Sequence, residues 1–141
     1  MFAQPRARDL MDFVDHSEHF SKKELQCKFT GECQMSKAFL TKLETLRQHY
    51  GKPIRLTSAF RSADHPVEKA KSKDGKPRST GYHALGRAAD LLVWNADGAR
   101  LLQIAIQMNL FGGYGFCFTG SSRFLHVDDR DRENGLMIWS Y

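Results

Sequence analysis

The chain has 141 residues, 41% of them hydrophobic and 26% charged, with a net charge of +5 and a pI near 9.2. That length suits one domain with a core of its own, without disulfide or metal staples, and the composition is that of an ordinary globular protein. The basic excess favours an anionic partner such as nucleic acid or a bacterial wall polymer. The positive residues are spread out, however, and no Arg-rich helix or aromatic RNA-binding signature occurs, so no nucleic-acid partner is expected.

Three cysteines, Cys27, Cys33 and Cys117, give an odd count without a repeated short spacing, which argues against a disulfide framework and a four-cysteine zinc site. Cys27 and Cys33 are near enough to pair across Phe29-Thr30-Gly31; buried free thiols are the expected state. The stretch from Met1 to Asp9 lacks the apolar centre of a signal peptide, and no run is long enough to span a membrane. Synthesis in the cytoplasm follows, with another delivery route if the substrate lies outside.

In chain order, residues 1 to about 18 read as an irregular or partly helical lead-in. Ser21-Lys22-Lys23-Glu24 fits a capping box with Phe20 as its staple, so a short helix starts there. Cys27 to Cys33 reads as a loop. Ser36 is a good N-cap for a helix over Lys37 to Tyr50, with Phe39, Leu40, Leu43, Leu46 and Tyr50 on one face, ended by Gly51 and Pro53. Ile54 to Phe60 alternates as a strand, with Arg61 at its end. Asp64-His65-Pro66 starts a short helix through Ala70, and Lys71 to Thr80 is a polar surface loop.

Ala88 to Trp94 then reads as a buried strand, and Asn95 or Asp97 caps a helix from Gly98 to Met108. Gly112-Gly113-Tyr114-Gly115 reads as a tight turn into Phe116-Cys117-Phe118. Strands follow at Arg123 to Asp128 and Leu136 to Trp139. Helices early and strands late give an α+β domain with a mainly antiparallel sheet and flanking helices. The whole chain, 1–141, is taken as one domain, with 1–35 a lead-in.

Asp90 opens the apolar run Leu91-Leu92-Val93-Trp94, where a lone buried carboxylate is costly and calls for a counter-charge or a metal. His83 stands seven residues before it, and Gly86, Ala88 and Ala89 leave room for close approach of a metal or a neighbouring backbone. On the strand ending at Asp128, Phe124, His126 and Asp128 share one face while Leu125 and Val127 face the core. The first set faces either a site or solvent. His83, Asp90 and His126 together make an N/N/O set that suits catalytic zinc with one position left for water.

The stretch from Gly81 to Asp90 resembles the S-x-H-x-x-G-x-A-x-D signature of the zinc D-alanyl-D-alanine peptidases, a superfamily that includes the vancomycin-resistance dipeptidases, phage L-alanyl-D-glutamate endolysins and the hedgehog signalling domain. Three further segments follow the same pattern in order. Thr57-Ser58-Ala59-Phe60-Arg61-Ser62 resembles the family's S-G-Y-R-S strand end, Gly112 to Gly115 its glycine-rich turn, and Phe124-Leu125-His126-Val127-Asp128 its closing F-V-H-x-D strand. The resemblance spans roughly residues 36 to 130, and the insertion His65 to Lys71 is of a phage-encoded type.

The resemblance implies a hedgehog-like fold, with His83, Asp90 and His126 as zinc ligands and Arg61 as the arginine that binds a substrate carboxylate or stabilises the oxyanion. The alternative for Arg61 is a surface salt bridge. Two positions depart from the pattern. Gly81 stands where the family has serine. Arg123 and Phe124 stand where members carry the general base, which leaves Asp128 either as the base or as a partner that orients His126. His65 and Glu68 are weaker base candidates.

The implied reaction is zinc-dependent hydrolysis of a peptide bond in peptidoglycan stem peptides, of the carboxypeptidase or murein endopeptidase type, in bacterial or phage cell-wall degradation. It would take place at the cell wall or periplasm, with phage virion proteins as further partners. The first rival is a zinc-containing binding or virion protein without catalysis on the same fold. The second is a metal-free structural module.

Overall fold

A computed structural model describes residues 12–70, 81–94, 96–133 and 135–141. The expected loop from Lys71 to Thr80 and the first eleven residues of the lead-in lie outside them.

Local signals place the helices. Ser21 caps α1 (Lys22–Leu25) in a full capping box with Glu24, and Phe20 beside it is buried. Ser36 caps α2 (Lys37–Tyr50), its hydroxyl accepting the Phe39 N–H at 3.2 Å, and Gly51 ends it at φ 77°. A glycine is suited to that left-handed position. His65 caps α3 (Pro66–Lys69) through its ring, with proline at the first turn. α4 (Asp97–Gln107) departs from expectation at its start. Its cap is Ala96, which makes no side-chain bond, while the Asp97 carboxylate lies 3.6 Å from Lys52 Nζ.

The strands are β1 (Phe13–Val14), β2 (Met35–Ser36), β3 (Leu56–Ser58), β4 (Ala88–Leu92), β5 (Gly113–Cys117), β6 (Phe124–Asp128) and β7 (Met137–Ser140). β1 and β2 form a small antiparallel pair that ties the lead-in to the start of α2. The other five form one sheet in the order β3-β4-β6-β5-β7, antiparallel except for the parallel edge pair β5–β7. The fold is α+β with a mainly antiparallel sheet flanked by helices, as the sequence led us to expect.

Three expectations are corrected. β3 is shorter than Ile54 to Phe60, β4 stops at Leu92 so that Trp94 is exposed, and the glycines at 113 and 115 lie within a strand instead of a turn.

Alternation divides the sheet into two faces. Leu91, Tyr114, Leu125 and Val127, all fully buried, join Phe39, Leu43 and Leu46 of α2 and Leu101 and Ala105 of α4 in one core. Each of the Leu, Val and Phe side chains contributes about 1.5–3 kcal/mol by leaving water. The opposite face carries Asp90 and His126, directly paired across β4 and β6. Lys42 is the exception on the apolar side of α2. It is buried, and its ammonium meets Asp129 at 2.6 Å, just past the end of β6. The three cysteines are free; Cys27 is buried, while Cys33 and Cys117 are half-buried.

Candidate metal centre

The turn from Gly81 to Gly86 is held by three successive backbone bonds, from the N–H of Ala84, Leu85 and Gly86 to the carbonyls of Gly81, Tyr82 and His83. Gly86 closes it at φ 70°, and a Cβ there would lie 2.0 Å from the Gln34 carbonyl oxygen. Only glycine lets this turn press against β2, and the Ser36 N–H donates to the Gly86 carbonyl at 2.8 Å. The close approach foreseen for Gly86 is thus to a neighbouring backbone.

The same turn is stitched to the end of β3. The Arg61 N–H donates to the His83 carbonyl at 3.2 Å, and His83 Nδ1 meets the Ala59 carbonyl at 2.6 Å. A carbonyl only accepts, so Nδ1 carries a proton, and Nε2 points away from β3. Nε2 lies 3.3 Å from Asp90 Oδ1. His126 presents Nδ1 to the same oxygen at 2.8 Å, and its Nε2 meets Asp128 Oδ2 at 2.7 Å. One atom from each of His83, Asp90 and His126 therefore converges, all within 4.8 Å of one another. All three residues are buried.

The electrostatics agree with that convergence. Burial alone raises the Asp90 carboxyl, but hydrogen bonds with His126 and His83 overcome it and hold Asp90 well below the usual carboxylate range. Burial alone lowers His126, and the bonds to Asp128 and Asp90 overcome it and raise His126. With Nε2–H given to Asp128, a proton on Nδ1 serves the bond to the ionised Asp90. A metal cation would take the place of that proton, with Nδ1 and Asp90 Oδ1 as two of its ligands. The donor set of two imidazole nitrogens and one carboxylate oxygen fits zinc with a further position for water or substrate.

Asp128 is fully buried. Its Oδ2 is shared between His126 and Arg130 NH2, the latter at 2.7 Å, and its Oδ1 accepts Arg130 Nε at 2.7 Å. Burial alone raises the Asp128 carboxyl, but its bonds with Arg130 and His126 lower it. Arg61 lies at the rim, with Nε on Ser58 Oγ at 3.1 Å and NH2 3.4 Å from Asp90 Oδ2.

A cleft of about 340 Å³ opens over these groups, walled by Tyr82, Arg130, Trp139 and Tyr141 as well as the ligand set. His65 and Glu68 are not among its lining residues. Arg123 turns its Nε to the Gly120 carbonyl, and the Phe124 ring packs on Tyr141 at 4.9 Å. A larger hollow of about 590 Å³ between residues 14–19 and α2 shares no lining residue with the cleft.

Sequence reasoning brought His83, Asp90, His126, Asp128 and Arg61 to one place, but it missed Tyr82, Arg130, Trp139 and Tyr141. The spacing Asp128-x-Arg130 was a usable signal, since extended chain returns i and i+2 to one face.

A family model described as Peptidase M15 matches residues 18–128. No curated protein matches the chain.

Proposed function

The chain belongs to the Peptidase M15 family, whose members are zinc-dependent peptidases, and from that membership we propose that it hydrolyses a peptide bond in peptidoglycan stem peptides with zinc held by His83, Asp90 and His126. The observation that carries the reading is the meeting of His83 Nε2, Asp90 Oδ1 and His126 Nδ1, each turned inward by a bond on its far side or by its strand. Zinc bound there supplies a Lewis acid for the scissile carbonyl and a water of lowered pKa.

The chain's own residues do the remaining work. Ala59 and Asp128 fix the two imidazoles in the tautomers that leave inward lone pairs. Arg61, tethered by Ser58, offers the rest of its donor fork to a substrate carboxylate or to the carbonyl oxygen as charge develops there. Asp128 has both oxygens engaged and is fully buried, so we assign it to orienting His126 and not to proton abstraction. The basic balance of the chain suits an acidic wall. Action at the bacterial cell wall or periplasm, by a phage or bacterial product, is part of the proposal. No helix of the described residues is long and apolar enough to cross a membrane.

A second reading has one observation in its favour. The carboxylates lining the cleft, among the described residues, are Asp90 and Asp128, and both are engaged as above. A zinc-holding binding or virion protein without turnover would need no further base.

Metal analysis of purified wild-type protein beside His83→Ala decides the metal question, with about one zinc per chain expected in the wild type and loss in the variant. Zinc-loaded protein is then incubated with muropeptides. Release of amino acids or shorter stems supports the peptidase, and intact stems at full zinc occupancy favour the binding protein.

A further inference from the structure

β6 ends at Asp128, and Arg130, whose backbone N–H donates to Asp128 Oδ1 at 3.2 Å, turns its side chain over the same cleft. There it makes a two-pronged pair with Asp128 through Nε and NH2, both at 2.7 Å. Its NH1 reaches Met137 Sδ on β7 at 2.9 Å. The guanidinium carbon sits 5.0 Å from the centre of the Tyr82 ring and 4.8 Å from that of Trp139, between two aromatic faces. Stacked between rings, a planar guanidinium loses its freedom to swing away from its carboxylate. Trp139 also packs against His126 itself, with ring centres 5.5 Å apart.

The strand beneath is built to admit these groups. Gly113 and Gly115 of β5 stand beside Asp128 and His126 in register. A Cβ on Gly113 would lie 2.4 Å from both Arg130 Nε and Asp128 Oδ1, and one on Gly115 would lie 2.5 Å from Trp139 Nε1. The two glycines are the floor on which the arginine pair and the indole rest.

We propose that Arg130, clamped between Tyr82 and Trp139, is a positioning residue of the metal centre: it fixes the Asp128 carboxylate, which in turn holds His126 with Nδ1 aimed at the metal. Strand β7 thereby belongs to the centre although it lies beyond the family-matched span of 18–128. The inference rests on the zinc reading above and extends it to residues outside the three-ligand set.

The test measures zinc affinity by competition with a chromophoric chelator, and the visible absorption of the cobalt-substituted protein, for wild type, Arg130→Gln, Arg130→Lys, Trp139→Leu and Trp139→Phe. Folding is checked in each by circular dichroism. Arg130→Gln is expected to weaken zinc by about 10–100-fold and to alter the cobalt bands, as loss of a ligand's orienting partner does. Arg130→Lys keeps the charge but not the fork and falls short of rescue. Trp139→Leu weakens zinc in the same direction, and Trp139→Phe, which restores a ring face, returns it close to wild type.

Folded Arg130→Gln and Trp139→Leu proteins with wild-type zinc affinity and unchanged cobalt bands overturn the inference, even if their thermal stability falls. If Arg130→Gln does not fold, Trp139→Leu against Trp139→Phe decides. Wild-type protein that takes up neither metal overturns the zinc reading itself, an outcome distinct from metal bound equally by every variant.

Discussion

Asp128 and Asp129 are adjacent, both buried, and do different work. Asp128 faces the cleft between His126 and Arg130; Asp129 faces the core and takes the ammonium of Lys42. Asp128→Asn should keep the fold and lower zinc affinity by about 10–100-fold, because a carboxamide no longer dictates which His126 nitrogen carries the proton; chelator competition measures this. Lys42→Ala should instead leave metal affinity near wild type and cost about 3–5 kcal/mol in urea unfolding, since it strands a buried carboxylate. The sequence disclosed the first role in part, through the shared strand face of His126 and Asp128. It concealed the second. Lys42 lies on the apolar stripe of a helix, and nothing within a few residues of it announces a partner 87 positions away.

Elements were legible where their signals are local. α2 begins and ends where Ser36 and Gly51 place it, and Ser36→Ala should lower stability by about 1 kcal/mol through loss of the Phe39 N–H bond, read as a shift in the unfolding midpoint. β6 was equally plain, because Leu125 and Val127 alternate with polar neighbours. β5 was not. Glycine is a poor strand former, so 112–115 reads as a turn, and the reason for strand there is non-local: Arg130, Asp128 and Trp139 occupy the space that side chains would take. β1 was invisible for a similar reason. Two residues, Phe13 and Val14, carry no period, and their partners, Ser36 and Met35, lie far along the chain. The start of α4 misled because Asp97, a natural cap, lies in the first helical turn and faces Lys52.

At the scale of the molecule, the site was readable as an ordered set of motifs and the sheet order was not. His83, Asp90 and His126 come from a turn and two neighbouring strands, and the family pattern carries their order. The parallel return of β7 beside β5 has no sequence signature, and with it went Trp139 and Tyr141. Two whole-molecule predictions follow from burial and binding. Zinc held by the folded state alone should raise stability by about 2.7 kcal/mol at a free concentration of 100 times Kd. Calorimetry should show the midpoint rise with zinc and return on chelation, with no response in His83→Ala.

Alkali should act in the opposite direction. Burial pushes the Tyr114 phenol up to about 12, against the lowering effect of the Phe111 N–H that donates to it. Above the unfolded value of about 10 the unfolded chain releases a proton that the folded chain keeps, so stability falls as pH rises, by about 1.4 kcal/mol per pH unit from this residue. Urea midpoints measured from pH 9 to pH 11 test the sign.

The glycine floor of β5 has a consequence for how this chain can vary. Neither Gly113 nor Gly115 has a positive φ, so alanine at either position meets no backbone obstacle, only the atoms above it. Intolerance at these positions is therefore conditional on what stands at 128 and 130 for Gly113, and at 139 and 141 for Gly115. In a combinatorial mutational library Gly115→Ala should be costly beside Trp139 and Tyr141 and add little once both are already leucine, a departure from additivity expected of groups that share one space. Drift at the strand and drift at 139 and 141 are thereby coupled, and a lineage that loses both rings is released from the glycine as well.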